Sequence, residues 1–371
     1  ESALYVWLTL IEGGAGAMFW QYRPEYMTFE APGLNIAALD GEPTVRLQAA
    51  EKAIAQIGKI APHLPVSIPR ADVAIAYSGP SDDVFDFNSM GLQFIQRHRA
   101  MYRALWPHSV AMDLVTPVMD WSEYKLVYLP NFAVLDADAI RVLRSLLERA
   151  DGPKLIADGY FGTFSGKGHW SYKPPEGLSD LIDCRIADFD VVNEFDVRAG
   201  KNIVKMACGE FEVPPSTTYS ILEPRGNTRS IATIGNKVVG VQSADGRFTW
   251  YGFTLSDTAA TNITGQPASS SPVALVHDDV ALSMLADVGI DSWFEITGDR
   301  VVAFRRGSSQ GGALVFLLNL EDKMAKTKVK PRWGITTAND LLEGKALSLN
   351  KGAFQLEMSF GEVRVIHCAD A

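Results

Sequence analysis

The sequence predicts a multi-domain α/β protein: a helix–strand–helix segment, then a doubly wound parallel sheet, then a small antiparallel β-sandwich. In the middle of the chain, short apolar runs alternate with amphipathic stretches of helical length. This alternation is typical of a parallel sheet covered by helices on both faces. From Asp291 onward the pattern contains only strands, with turns about every 8 to 12 residues, which predicts an antiparallel sandwich.

The first 66 residues predict a helix, a strand, a loop and a second helix. The opening helix follows from apolar residues at helical spacing, namely Leu4, Trp7, Leu8 and Ile11. The run "AGAMFW" (15–20) is apolar without alternation, as in a parallel strand buried on both faces. After a turn at "DGEP" (40–43), residues 44–64 have the pattern of an amphipathic helix. Because this segment alone would expose its apolar faces, we expect it to belong to a larger domain.

The middle of the chain predicts the elements of the doubly wound sheet. The expected strands are 73–78, 110–115, 125–130 and 153–159, and the expected helices are 91–106, 136–150 and 271–290. Between 184 and 256 the sequence is richer in β-branched and aromatic residues and contains several turn signals. We therefore expect this sheet to gain antiparallel strands there.

Composition indicates an ordinary globular protein and argues against a nucleic-acid partner. The 371 residues are 47% hydrophobic and 21% charged, and 34 Lys and Arg against 44 Asp and Glu give a formal net charge of −10. Nucleic-acid binders concentrate basic residues on one face, and no basic run occurs here.

The cysteines and histidines predict neither disulfides nor a metal site. Cys184, Cys208 and Cys368 are odd in number and far apart, no CxxC occurs, and the histidines lack metal-ligand spacing. Free thiols are typical of a reducing compartment, so we expect a cytoplasmic protein. The first residues lack the basic region of a signal peptide, and no apolar run approaches the roughly 20 residues of a membrane span, so we expect no membrane partner.

The segment "FWQYRPEYMTFEAPGLNIAALDGEPTVRL" resembles the end of the catalytic (β/α)8 barrel in bacterial β-galactosidases of glycoside hydrolase family 42. The segments "ADVAIAY", "YRALWPHSVAMDLVTP" and "WSEYKLVYLPNFAVLDADAIRVLRSLLERADGPKLIADGYFG" resemble that family's trimerisation domain, which is flavodoxin-like and similar to glutamine amidotransferases. The all-β tail also matches the family's last domain. The resemblance implies three domains: a barrel piece at 1–66, the trimerisation domain at 67–290 and a β-sandwich at 291–371.

The resemblance further implies an enzyme whose catalytic groups lie outside this chain. Such a barrel needs about 250 residues, so residues 1–66 look like its closing helix–strand–helix piece. The family's two catalytic glutamates lie at the ends of its fourth and seventh barrel strands. Because the resemblance places both strands before this piece, neither glutamate is assigned to a residue of this chain. The parent would hydrolyse terminal non-reducing β-D-galactosyl residues with retention and without a cofactor, whereas this chain alone would be inactive. The implied partners are a galactoside or related sugar, further copies in a homotrimer, and the missing barrel segment.

Glu30 matches the family glutamate that hydrogen-bonds galactose hydroxyls, a task suited to a group that only accepts hydrogen bonds. Many members have a histidine where this chain has Gly33, so one hydroxyl contact would be missing or supplied by Asn35, and the sugar preference stays open. The choice among galactosides, arabinopyranosides and fucosides depends on contacts mostly outside this chain.

Trp20 and Gln21 have two interpretations of equal weight, contact with the sugar or packing at the barrel rim. For Arg23 a structural ion pair is favoured over contact with a substrate.

In a trimer, the aromatic loop tip of His169, Trp170 and Tyr172 would lie against a neighbour, whereas as a lone surface feature it carries little information.

Two other functions stay open. The chain could be a non-catalytic oligomerisation and sugar-recognition module. It could also be an amidotransferase-like sensor, which needs a nucleophilic cysteine at a strand–helix elbow. The matching elbow at 157–166 has no cysteine. Cys184 comes about twenty residues later, before a β-like run and without an elbow signature.

Overall fold

The computed structural model describes residues 2–25, 27, 35–88, 91–171, 174–175, 177–259 and 276–370. Contacts divide the chain into two compact units, one formed by residues 1–70 with 292–371 and the other by residues 71–291. The sequence predicts 1–66 and 291–371 as separate domains. In the structure these two ends of the chain share one unit.

The helices of the described residues are α1 Ser2–Ile11, α2 Val45–Ile60, α3 Gly79–Phe87, α4 Gly91–Leu105, α5 Ala137–Leu147, α6 Glu194–Arg198 and α7 Asp278–Ala286. The strands of the middle unit are β1 Val73–Ala76, β2 Met112–Val115, β3 Leu126–Leu129, β4 Val134–Leu135, β5 Lys154–Asp158, β6 Phe164–Ser165, β7 Cys184–Val191, β8 Ile203–Met206, β9 Gly209–Glu212, β10 Thr218–Pro224, β11 Arg229–Ile234, β12 Lys237–Gln242 and β13 Phe248–Tyr251. The remaining strands are β14 Phe294–Gly298, β15 Val302–Gly307, β16 Ala313–Leu318, β17 Ala325–Pro331, β18 Ile335–Asp340, β19 Lys345–Ala346, β20 Phe354–Met358 and β21 Val363–Asp370.

The middle unit is built on a nine-stranded mixed sheet in the order β2-β1-β3-β5-β13-β12-β11-β8-β9. The first five strands in that order are parallel, and the pairs from β13 onward are antiparallel. This bears out the expectation that a parallel sheet gains antiparallel strands after residue 184. Strands β7 and β10 differ from it, because they pair with each other in a separate two-stranded sheet.

Helices cover both faces of the parallel strands, as the sequence pattern predicts. On β3, Leu126 and Tyr128 pack with α4 and α7, whereas Val127 and Leu129 pack with α5 on the opposite face. Successive side chains of a strand point to opposite faces, so a strand covered on both sides must be apolar throughout. The absence of alternation in these short runs follows directly from that burial.

The other unit contains two antiparallel sheets, β14-β17-β20 and β15-β16-β21-β18-β19. A common apolar core holds side chains from both sheets, among them Val315 and Leu317 of β16. These two sheets agree with the sandwich predicted for the end of the chain.

The five-stranded sheet buries its second face against the two N-terminal helices. Leu314, Phe316 and Leu318 of β16 join the apolar cluster formed by α1 and α2. The ring of Phe316 meets the ring of Trp7 edge to face, with centroids 6.3 Å apart. Every residue of β16 is buried for this reason. The beginning and the end of the chain therefore fold as one body.

Arg306 fastens the end of α1 to β15. Its buried guanidinium donates to the carbonyl oxygen of Ile11 and, at 3.1 Å, to the carboxylate of Glu12. The last carbonyl groups of a helix lack partners within the helix, and a cation there also opposes the negative end of the helix dipole. Arg306, which is 295 positions from Ile11 in the sequence, therefore caps the C-terminal end of α1.

Two local predictions differ from the structure. Residues 15–20 are not a strand, since no described strand pairs with them and Met18 and Trp20 are exposed; a parallel strand exists only with hydrogen-bonded neighbours. The helix expected over 271–290 begins at Asp278 in the described residues, where the ring of His277 accepts a hydrogen bond from the Asp279 amide. Residues 271–275 lie outside the described residues.

Helix α3 was not expected from the sequence. The Ser78 side chain accepts from the Ser81 amide, and Pro80 occupies its first turn. These are ordinary start signals for a helix.

Within the described residues, no helix is both long and apolar enough to span a bilayer.

Replacement of Phe316 by alanine should lower the free energy of unfolding by about 3–5 kcal/mol, because it leaves a cavity between the sheet and α1. Phe360, which is 62% exposed in the same unit, is the matched control, and its replacement by alanine should change stability by less than about 0.5 kcal/mol. Denaturant titration of both variants measures the difference. Equal effects would contradict the packing of α1 and α2 on β16.

Candidate functional site

The residues predicted to contact a sugar lie between residues 20 and 33, and the two ends of this part of the chain are joined by backbone hydrogen bonds. The Ile36 amide donates to the Gln21 carbonyl at 2.9 Å, and the Ala37 amide donates to the Tyr22 carbonyl at 2.7 Å. We call residues 20–22 and 35–38 the loop stem. Ile36 is buried in the apolar cluster of α1 and α2, so this cluster fixes the position of the stem. Glu30 and Gly33 lie outside the described residues.

The stem is continued by a tight turn into α2. Gly41 has a φ of +92°, which side chains other than hydrogen rarely tolerate. Thr44 caps α2 by accepting from the Leu47 amide at 3.3 Å, and its hydroxyl also donates to the Ile36 carbonyl. Arg46 donates to the Asn35 carbonyl at 3.0 Å. The "DGEPTVR" segment thus joins the loop to the helix on which it rests.

Two aromatic side chains project from the stem into solvent. Trp20 is 73% exposed and Tyr22 is also exposed. The side-chain nitrogen of Gln21 is enclosed and has no hydrogen-bond partner among the described residues. A buried unsatisfied donor is unfavourable by about 1–3 kcal/mol. Open aromatic faces beside an unsatisfied donor suit a ligand with both apolar and hydroxyl surfaces, such as a sugar.

Arg23 lies against the turn at Gly41. Its guanidinium would be 3.3 Å from a Cβ atom at position 41, so the glycine leaves the space that Arg23 occupies. No carboxylate of the described residues forms an ion pair with Arg23. The structural ion pair expected for this residue stays a prediction.

The carboxyl ends of the parallel strands carry a second group of polar residues, centred on Asp158. Its buried carboxylate accepts three hydrogen bonds, from the Tyr128 hydroxyl at 2.6 Å, the Asn131 amide at 2.8 Å and the Leu255 amide at 2.8 Å. Ligands of open α/β sheets bind at this edge. Here the carboxylate instead joins the segments that follow β3, β5 and β13.

Burial raises the pKa of Asp158 to about 6, because removal from water disfavours the charged carboxylate. The three donated hydrogen bonds act in the opposite direction and limit the rise. Gly159 follows with a φ of +60°, and a Cβ atom there would be 2.3 Å from the Asn131 side-chain oxygen. The elbow at 157–166 is therefore closely packed around Asp158.

Cys184 does not have the environment of an amidotransferase-type nucleophile. Burial raises the pKa of the Cys184 thiol to about 12, and its sulfur lies 3.6 Å from the Arg185 carbonyl oxygen. A catalytic thiol needs the opposite shift and a nearby base. The described residues also contain no group of three or more His, Cys, Asp or Glu side chains that could hold a metal ion.

Residues 71–242 match the family profile of the β-galactosidase trimerisation domain of glycoside hydrolase family 42. This part of the chain belongs to that domain family. The match begins two residues before β1 and ends with β12, so it includes the parallel strands and most of the antiparallel extension of the nine-stranded sheet.

Similarity in fold to solved family 42 β-galactosidases extends over the rest of the chain. β-Galactosidase GanA of Bacillus subtilis (strain 168) is 25% identical over 154 residues, which are 40% of this chain and 22% of GanA. The structure of Gan42B, a family 42 β-galactosidase from G. stearothermophilus, superposes with a TM-score of 0.75 at 16% identity, covering all of this chain and 50% of that one. The β-galactosidase from Bacillus circulans sp. alkalophilus superposes with a TM-score of 0.72 at 15% identity, over 99% of this chain and 51% of that one. The chain therefore spans about half the length of each of these solved relatives and shares the fold of that half.

The sequence leaves two features of these sites open. Tyr22 lies in the same aromatic run as Trp20, but the sequence does not show that its ring is exposed. Asp158 has a recognisable signal, an acidic residue followed by glycine at the end of an apolar strand. Its partners Asn131 and Leu255 are distant in sequence, so only the fold brings them together.

The pKa of Asp158 predicts a pH-dependent stability. The folded-state pKa of about 6 lies above the ordinary value of 3.8. The stabilising contribution is therefore complete below about pH 4 and is lost as the pH rises through about 6. From pH 4 to 7 the free energy of unfolding should lose up to about 3 kcal/mol from this group.

Asp158→Asn removes this titration, and it also destabilises by about 1–3 kcal/mol because an amide cannot accept all three hydrogen bonds. Denaturant titration at several pH values should show the advantage of wild type over Asp158→Asn shrinking as the pH rises. The exposed Asp138 of α5 provides the control substitution Asp138→Asn, which should keep the wild-type profile. A constant difference between wild type and Asp158→Asn would show that this carboxylate is ionised throughout.

Proposed function

We propose that this chain is the C-terminal portion of a retaining β-galactosidase-like glycoside hydrolase that acts on terminal non-reducing β-D-galactosyl residues. In this proposal the chain supplies part of the wall of the sugar pocket and the oligomerisation domain. The observation that carries it is the trimerisation-domain match of residues 71–242, embedded in a chain whose whole fold follows family 42 β-galactosidases.

The loop stem is the proposed contact with the sugar. Trp20 and Tyr22 offer aromatic faces, and Gln21 offers an unsatisfied donor. Glu30, which in sequence lies between the two segments of the stem, would accept hydrogen bonds from the sugar hydroxyls. Arg23, packed on Gly41, would support the rim of the pocket rather than touch the substrate.

The catalytic glutamates are proposed to lie on barrel strands that precede the residues of this chain. Retention requires two carboxylates about 5–5.5 Å apart. An open groove of about 630 Å³ is formed by α1, α2, residues 13–17 and 64–66 and Phe19. This groove supports the proposal, because further barrel elements could pack in it. Its lining is mostly apolar and includes Leu10, Phe19 and Ile57. Further barrel elements packed in this groove would cover apolar surface that otherwise meets water.

The assembly proposed for the enzyme is a homotrimer. The name of the family that matches residues 71–242 supports this proposal. A cyclic trimer joins one surface of each copy to a different surface of the next.

Kinetics of the full-length enzyme that contains this chain test the sugar contact. Gln21→Ala and Trp20→Ala should each raise KM for a chromogenic β-galactoside about 10-fold, equivalent to about 1.4 kcal/mol of lost binding. Tyr5, exposed on α1, provides the control Tyr5→Ala with unchanged KM. Unchanged KM in both stem variants would contradict the pocket assignment.

The chain by itself should hydrolyse no chromogenic β-galactoside above the uncatalysed rate, because it is proposed to lack both catalytic carboxylates. Turnover by the isolated chain would refute that assignment. Galactose binding by both the chain and the full-length protein, without turnover by either, would favour a non-catalytic sugar-recognition module.

A further inference from the structure

Trp170 lies near the tip of a hairpin formed by residues 163–171, whose backbone is held by internal hydrogen bonds. The Ser165 amide donates to the His169 carbonyl and the Ser171 amide to the Thr163 carbonyl, each at 2.8 Å. The indole ring packs on Phe164 with ring centroids 4.6 Å apart. Trp170 nevertheless stays 56% exposed. A large apolar side chain is thus fixed in place while much of its surface meets water.

Strand β7 extends this apolar surface. The ring of Phe189 meets the Trp170 indole edge to face at 5.4 Å. Val191, two residues further along, projects from the same face of the strand. Phe189 is 36% and Val191 44% exposed. We call Trp170, Phe189 and Val191 the aromatic patch.

The patch lies at an open sheet edge. Among the described residues β7 pairs only with β10, so its other edge presents backbone groups without strand partners. Soluble proteins usually protect such edges with charges, bulges or covering segments. Here Asp188 and Asp190 supply such charges, since their side chains accept from the Phe189 and Val191 amides, each at 2.8 Å, so this edge does not favour pairing with a further strand. The side chains of Phe189 and Val191 still form exposed apolar surface, which is typical of a surface that another chain covers.

We propose that the aromatic patch is the surface through which one copy of this chain docks on the next copy. This inference rests on the proposed homotrimer and names the surface that forms it. The patch lies within residues 71–242, the part of the chain matched by the trimerisation-domain family, and this match identifies a second copy as the occupant.

The physical character of the patch fits an interface centre. Tryptophan is enriched among residues that dominate binding energy, and an anchor already fixed before association loses little conformational entropy on docking. Exposed polar side chains adjoin the patch, among them Lys167, His169 and Asp188. An apolar centre with a polar rim is the usual composition of a specific interface.

Sedimentation equilibrium of the chain tests the proposal. Trp170→Asp and Val191→Asp should each weaken trimer association at least about 30-fold, so that wild type is trimeric and both variants are mainly monomeric at about 10 µM. Val191→Asp disturbs no ring contact and is the second variant should Trp170→Asp fold poorly. Phe360→Asp, which adds the same charge at an exposed site of the other unit, should leave the trimer intact. Circular dichroism verifies folding of each variant.

The outcomes separate the docking surface from the trimer itself. If wild type, Trp170→Asp and Val191→Asp are all trimeric, the aromatic patch is not the docking surface, while the proposed trimer is supported. A monomeric wild type at about 100 µM overturns both the patch and the proposed trimer, while the kinetic test of the loop stem remains independent of either result.

Discussion

Burial of both faces of a sheet is the constraint on which the arrangement of this chain depends. Strand β16 is apolar at every position and needs cover on both sides. One face meets the three-stranded sheet, and the other meets α1 and α2. The same requirement in the middle unit is met by α4 and α7 on one face and α5 on the other. Because a β-rich tail cannot cover its own outer face, the first seventy residues fold with the last eighty.

This packing determines where the loop stem lies. Ile36 of the stem and Trp7 of α1 belong to the same cluster as Phe316. The exposed Trp20 and the enclosed amide of Gln21 are therefore held on a rigid base rather than on an isolated loop. A binding contact gains from such support, since its side chains need little ordering when a ligand arrives. In the proposed enzyme, this side of the pocket derives its rigidity from the C-terminal sandwich.

In the middle unit, a buried carboxylate lies at the edge of the parallel strands. The carboxyl edge of its parallel strands is where related topologies bind ligands. Here Asp158 uses both carboxylate oxygens to join three chain segments, and the elbow carries no thiol. Cys184 lies on an edge strand, where burial keeps its thiol protonated. The exposed aromatic surface lies beside this domain's edge strand instead, which is consistent with a role in assembly.

The sequence by itself determined the element types: the helical spacing of α1, the short buried runs of β1, β3 and β5, the cap of α5 at Asp136, and the strands after Asp291. These signals are local, because periodicity and capping depend on residues within a few positions. Tertiary structure alone decided that residues 15–20 form no strand, that Arg306 caps α1, and that Phe189 meets Trp170. Each of these depends on a partner distant in the chain or on the lack of one among the described residues, and neither local pattern nor composition records which distant segments will pack together.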